Sequence, residues 1–206
     1  MIHANLQIGE GQLLIWKLTE SVTDLLQEIQ HPDTAVDFQK INTVKRQLEF
    51  LAVRVALKKL LDKEFYISYT ESGKPFLLDN CCNISISHSG SWIAVAIHPS
   101  LHIGIDIECI TDKTGKLYKR FLSEDEQKDL SHGTNIKQLQ IAWSAKEAVY
   151  KIIGKDAVDF ANQLRIYPFE TNEENGKLTM RHTVNDELYD LHYHQTADYT
   201  LVYCIS

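Results

Sequence analysis

Ile103-Gly104-Ile105-Asp106-Ile107-Glu108 is the stretch on which the reading of this chain turns. It alternates strictly, and successive side chains of a strand point to opposite faces. The three isoleucines therefore share one face, which reads as core. Gly104, Asp106 and Glu108 share the other, where the two carboxylates stand about 6.5–7 Å apart along the strand. Like charges at that spacing repel. One acid is protonated, or both are well solvated on an exposed face, or a cation sits between them. A hard divalent ion such as Mg²⁺ favours oxygens of this kind.

A second acid-bearing element follows some forty residues later. The helical stretch Leu139–Ile153 contains Trp143-Ser-Ala-Lys-Glu-Ala-Val-Tyr-Lys151. At about 100° per residue, Ile141, Ala142, Ala145, Ala148, Val149, Ile152 and Ile153 cover one arc. Ser144, Glu147 and Lys151 cluster on the opposite arc. Glu147 and Lys151 have the i,i+4 spacing and order of a surface ion pair. Lys146 lies about 100° from Glu147. Upstream, Ser85-Ile-Ser-His-Ser-Gly90 offers hydroxyls, an imidazole and a turn whose N–H groups could face an anion, or else a polar strand end. Gly73-Lys74-Pro75 offers a fixed turn with one ammonium.

Around these motifs the pattern predicts an α+β protein. An opening strand is expected over 11–18 and a short amphipathic helix over 19–30. A strong helix is expected over 43–61, where Val44, Leu48, Leu51, Ala52 and Val55 make a stripe. Strands are expected at 65–70, at 83–88 and 92–97 as a hairpin, and at 103–108. The hydrophilic stretch 109–119 reads as a connector. Ser123-Glu-Asp-Glu126 is a capping box. A helix is expected over Ile136–Ile153, stopped by Gly154. Strands near 163–168, 177–184, 187–194 and 199–205 follow, with Asn175-Gly176 as a hairpin turn. Residues 89–97 resemble 196–204 weakly, as an internal duplication would leave them. Two α+β halves are expected, 1–108 and 109–206, each an antiparallel sheet packed with a long helix.

Composition narrows the function classes. The chain has 206 residues, 44% hydrophobic and 24% charged, with a formal net charge of −7. That balance disfavours broad nucleic-acid binding. No apolar run reaches the ~18 residues a membrane span needs. The first residues lack the basic start and apolar core of a secretion signal, so a cytoplasmic location is expected. Cys81, Cys82, Cys109 and Cys204 form no Cys-x-x-Cys pair. They read as reduced, mostly buried thiols rather than zinc ligands or disulfides.

Gly104-Ile-Asp-Ile-Glu108 followed by Trp143-Ser-Ala-Lys-Glu-Ala-Val-Tyr-Lys151 resembles the signature pair of the 4′-phosphopantetheinyl transferases. Gly73-Lys-Pro75 and Ser85-Ile-Ser-His-Ser-Gly90 resemble two further motifs of that family, in the right order. Length and two-half plan resemble the surfactin-synthetase-activating branch. The motifs run from about Lys45 to Lys151, while 1–40 and 160–206 match only in layout. The resemblance implies a monomeric pseudo-dimer of two similar halves, with coenzyme A and Mg²⁺ (or Mn²⁺) at their junction. It implies transfer of the phosphopantetheine arm of coenzyme A to a serine hydroxyl of an apo carrier protein, releasing adenosine 3′,5′-bisphosphate. Asp106, Glu108 and Glu147 would hold the metal. Lys151 would neutralise the pyrophosphate, and Lys74, Ser87 and His88 would touch coenzyme A. The backbone of Gly73, Lys74 and Pro75 would lie near the adenine, with Lys45 and Arg46 near the 3′-phosphate. Glu147, directly or through a metal-bound water, would be the base. Lys113, Lys116, Lys119 and Arg120, with Leu117, Tyr118 and Phe121, would dock an acidic carrier or form a solvated connector. A non-catalytic binding homologue and a Mg²⁺-dependent phosphohydrolase are the rival readings.

Overall fold

A computed structural model describes residues 1–130, 134–154, 158–171 and 173–206. The chain divides into two compact units, Met1–His102 and Ile103–Ser206. The division falls before the acidic strand rather than after it, so Asp106 and Glu108 belong with the second unit.

In the first unit β1 (Ile2–Ile8) and β2 (Gly11–Lys17) form a hairpin. Helices α1 (Val22–Gln27), α2 (Pro32–Phe38) and α3 (Val44–Leu61) follow. Then come β3 (Ile67–Tyr69), β4 (Pro75–Leu77), β5 (Asn83–Ser89) and β6 (Trp92–His98). The main sheet has the order β1-β2-β6-β5, all antiparallel, while β3 and β4 pair apart from it. Leu51, Ala52, Val55 and Leu57 of α3 join Leu14, Ile84, Ile93 and Val95 of the sheet in one core.

The opening is richer than the pattern predicts. In β1, Ile2, Ala4, Leu6 and Ile8 alternate with polar residues, but Ile2 and Leu6 stay exposed. The expected helix over 19–30 shrinks to Val22–Gln27, because the Ser21–Asp24 capping box starts it late. Pro32 then opens α2 at its first position, where a proline forfeits no helical hydrogen bond.

The second unit begins with β7 (Ile103–Cys109). After it come α4 (Lys113–Phe121), α5 (Glu124–Asp129), α6 (Ile136–Ile153) and α7 (Phe160–Gln163). Strands β8 (Leu164–Ile166), β9 (Asn175–His182), β10 (Glu187–Gln195) and β11 (Tyr199–Ile205) complete it. The sheet order is β7-β11-β10-β9-β8, again antiparallel throughout. Ile141, Ala145, Ala148 and Val149 of α6 pack on Met180, Leu191, Val202 and Cys204 of the sheet. Of the four thiols only Cys204 is buried, and none forms a disulfide.

Two expectations fail here. Asn175-Gly176 is not a turn, since both residues lie in β9, opposite His194 and Tyr193. The stretch 109–119 is not wholly a connector, because most of it winds into α4. Gly115 within it lies against the tip of the Ile136 side chain at the start of α6, which would have to shift to admit a β-carbon there.

Candidate active site

Both faces of β7 are buried. Ile103, Ile105 and Ile107 are at most 2% exposed, as expected of a core face. The acid-bearing face is closed at Gly104 and Asp106, where α6 passes over it, and half-open at Glu108. Gly104 permits this approach, since a β-carbon there would collide with the Ala148 carbonyl oxygen. Asp106, one repeat along, is only 4% exposed. Its Oδ1 accepts from Lys151 Nζ at 3.0 Å, and the same ammonium donates to the Ile105 carbonyl at 2.7 Å. Lys151 thus turns from its expected surface pairing with Glu147 to the strand beneath.

Glu147, one turn before Lys151 on α6, is half-buried. Burial pushes its carboxyl up to about 7, and the charges of Asp106 and Glu108 push in the same direction against the pull of Lys151. A carboxyl at about 7 is half ionised at neutral pH, the range in which a general base works best. The strand's two acids and the helix's acid and lysine thus form one electrostatic cluster within a single unit. Among the described residues no three His, Cys, Asp or Glu side chains are placed closely enough to hold a metal ion as they stand. The donor chemistry nonetheless suits a hard cation. All three groups are carboxylates, the oxygen donors that a divalent ion such as Mg²⁺ prefers.

Lys146, adjacent in sequence, has a different fate. It is fully buried, and its ammonium donates to the carbonyls of Phe121 and Phe160, both at 2.7 Å, and pairs with Glu126 at 2.8 Å. Glu126 also accepts from the backbone N–H of Ser123 and of Ile166, each at 2.8 Å. Burial pulls the Lys146 ammonium down to about 8 while Glu126 opposes the shift. The capping box at 123–126 signalled the start of α5, but not that its glutamate also seats a lysine from α6.

In the first unit the expected cations do gather. Arg46 reaches Glu49 at 3.1 Å, Lys45 reaches it at 3.8 Å, and His88 Nδ1 lies 3.5 Å from it. Arg46 is also 3.2 Å from His88 Nε2. Glu49, which the sequence reading passed over, is the buried centre of this group. Arg46, Glu49 and His88, with Phe50, Arg54 and Tyr69, line a small cleft. Arg54 is buried with its guanidinium 3.3 Å over the Phe50 ring.

Ser87 is not on that face. His88 shares its side of β5 with Ile84 and Ile86, so Ser87 projects to the other side of the sheet, where it is buried. Gly73 takes a left-handed φ of 82° in the turn between β3 and β4, and burial lowers the pKa of Lys74. The exposed side of α4 shows Lys116, Leu117, Lys119 and Arg120. Among the described residues no helix is long and apolar enough to cross a membrane.

Comparison with known proteins converges on one family. The profile of the 4′-phosphopantetheinyl transferase superfamily matches residues 102–204, half of the chain. A 4′-phosphopantetheinyl transferase of Bacillus subtilis is 40% identical over 90 residues, 41% of this chain and 39% of that protein. The transferase Sfp of Bacillus subtilis strain 168 is 38% identical over 100 residues, 46% of this chain and 44% of its own. The transferase gsp of Aneurinibacillus migulanus is 36% identical over 90 residues, 41% of this chain and 36% of its own. The chain thus spans less than half the length of these relatives. The matched segment runs from the acid strand through α6 to the last strand, so it holds Asp106, Glu108, Glu147 and Lys151 together. The chain belongs to the 4′-phosphopantetheinyl transferase superfamily.

Proposed function

We propose that this chain transfers the 4′-phosphopantetheine arm of coenzyme A to a serine hydroxyl of an apo carrier protein. Adenosine 3′,5′-bisphosphate leaves. The observation that carries the reading is the Asp106–Glu147–Lys151 cluster at the crossing of β7 and α6, inside the segment that matches the family.

The serine oxygen attacks the pantetheine-side phosphorus of the pyrophosphate, and the bond from that phosphorus to the bridging oxygen breaks. Positioning and charge supply most of such catalysis. Glu147, directly or through an intervening water, takes the serine proton. Lys151, held by Asp106, presents an ammonium to the charge that builds on the phosphoryl oxygens and the leaving group. Asp106, Glu108 and Glu147 would hold Mg²⁺, with Mn²⁺ as a substitute. The ion, when bound, would neutralise the pyrophosphate oxygens. Arg46, Lys45 and His88, gathered on Glu49, suit the 3′-phosphate of coenzyme A. Gly73, Lys74, Pro75 and Ser87 are assigned to the rest of coenzyme A by family resemblance. The basic, partly apolar side of α4 suits an acidic carrier. Each unit sets an 18-residue helix on an antiparallel sheet, which supports the pseudo-dimer reading, and the resemblance adds a monomer acting in the cytoplasm to the proposal.

The test is incubation of the chain with coenzyme A, Mg²⁺ and a panel of apo carriers, followed by intact mass. A gain of one phosphopantetheine is the expected result. Breakdown of coenzyme A without any carrier would instead make the chain a phosphohydrolase.

A further inference from the structure

Two buried polar atoms on α6 are left over by everything described above. Gln140 is 1% exposed and Ser144 is 0% exposed. Neither Gln140 Oε1 nor Ser144 Oγ has a hydrogen-bond partner among the described residues. Buried polar groups in folded proteins are almost always satisfied, so each such atom asks for an explanation. Here the two occur one helical turn apart, about 6 Å along the same face.

That face is the one over the acids. Gln140 donates its amide nitrogen to the Cys109 carbonyl at 2.6 Å, at the far end of β7. Ala148 lies against Gly104, at the near end. The helix therefore runs antiparallel to the strand, and Ser144, midway between those contacts, lies over Asp106 and Ile107. Of these two, Asp106 is on the helix-facing side. Glu147 and Lys151 continue the same stripe, one and two turns beyond Ser144.

The chemistry of the two atoms is specific. A carbonyl can only accept, so the Cys109 contact fixes the Gln140 amide with its nitrogen toward the strand. Oε1, an acceptor only, is left turned into the buried face. The Ser144 hydroxyl can accept as well. A pair of acceptors beside three carboxylates does not suit another anion. It suits a donor, and the donors a Mg²⁺ ion brings are its own water molecules, of which it keeps several.

We propose that Gln140 and Ser144 accept hydrogen bonds from the hydration waters of the divalent ion held by Asp106, Glu108 and Glu147, and so fix that ion's orientation. They are positioning residues, acting through the ion's waters. The inference rests on the metal reading of the acid cluster given above. Removal of such an outer contact typically weakens metal binding by about 10–100-fold.

The test uses Mn²⁺ alone, titrated into the full chain and followed by loss of the free-ion electron paramagnetic resonance signal. Ser144→Ala and Gln140→Met should each weaken Mn²⁺ binding about tenfold, and Ser144→Thr, which keeps the hydroxyl, should bind as the parent does. With chelator present, Ser144→Ala should unfold at a temperature no lower than the parent, since it loses an unsatisfied buried atom, whereas Gln140→Met also loses its bond to the Cys109 carbonyl and is judged on Mn²⁺ binding alone. A merely structural role predicts the opposite on both readouts. Folded variants that bind Mn²⁺ as tightly as the parent would overturn the proposal, as would a parent that binds none. Should Gln140→Met fail to fold, Ser144→Ala decides alone. A parent that binds Mn²⁺ more tightly than the variants, yet transfers nothing to any carrier, would refute the transferase reading and leave this one standing.

Discussion

Helices α3 and α6 are both 18 residues long, and each lies on an antiparallel sheet. They handle charge in opposite ways. At the start of α3 the acid is inside and the cations are outside: the Glu49 side chain is 8% exposed, while those of Lys45 and Arg46 are 75% and 63% exposed. Those cations are positioned without being consumed, and an incoming anion can still reach them. On α6 the lysines divide the work. Lys146 is sealed with Glu126, while Lys151 keeps a quarter of its side chain in solvent above a buried Asp106. Exposure thus separates the pairs that hold the fold from those available to a ligand, and each class makes a different prediction.

The half-open cluster on α6 should show the largest effect on activity. Glu147→Gln removes the proposed base and should lower transfer by about 10²–10⁴-fold, read as kcat with coenzyme A and a carrier. Its pH signature has a definite sign. Ionised Glu147 is the working form, so the rate should rise with pH, and saturating Mg²⁺ should move that rise below pH 7 because a bound cation favours the ionised carboxyl. Stability should run the other way. Its carboxyl is raised from 4.5 to about 7, so the proton it holds in the folded state stabilises fully below pH 4.5, and that contribution fades as pH rises through 7. In metal-free buffer the loss should be about 3 kcal/mol, and Glu147→Gln should flatten it in urea titrations across that range.

The sealed pair should show the largest effect on stability. Lys146→Met leaves Glu126 buried without its cation and should cost about 3–5 kcal/mol in urea unfolding. The double variant Lys146→Met with Glu126→Leu should recover most of that loss. A single variant as stable as the parent would show that the pair is not sealed.

Lys151→Met should lower kcat about tenfold or more, with a smaller cost in stability than Lys146→Met, since its ammonium is partly solvated. Smallest of all should be Arg46→Ala. Stability should change by less than about 1 kcal/mol. Its mark should be on recognition: KM for coenzyme A should rise several-fold while KM for 3′-dephospho-coenzyme A stays put. Equal effects on both would remove Arg46 from the 3′-phosphate.

The same contrast explains what was legible in the sequence. The period-two run at 103–108 and the two long helices are strongly patterned, and the structure has all three. The cluster of Asp106, Glu147 and Lys151 follows once strand and helix cross. The misreadings concern elements whose partners lie far along the chain. In β1, polar residues fall at every other position and Ile2 and Leu6 stay in solvent, so burial gave it little signal. Asn175-Gly176 looks like a turn, yet Gly176 pairs with Tyr193. The spacing of Lys45 and Arg46 before Glu49 is a local signal, but nothing local announces His88, 39 residues on, or the pairing of Glu126 with Lys146, 20 residues on. Ser87 and His88 read as one patch in the sequence, and the alternation of β5 sends them to opposite faces.

The most direct test of the central claim is the intact mass of an apo carrier after incubation with coenzyme A and Mg²⁺, using the parent chain and Asp106→Ala side by side. The parent should add one phosphopantetheine, and folded Asp106→Ala should add none at the same enzyme concentration. A carrier panel left unmodified by the parent, or modified equally by both proteins, would contradict the account.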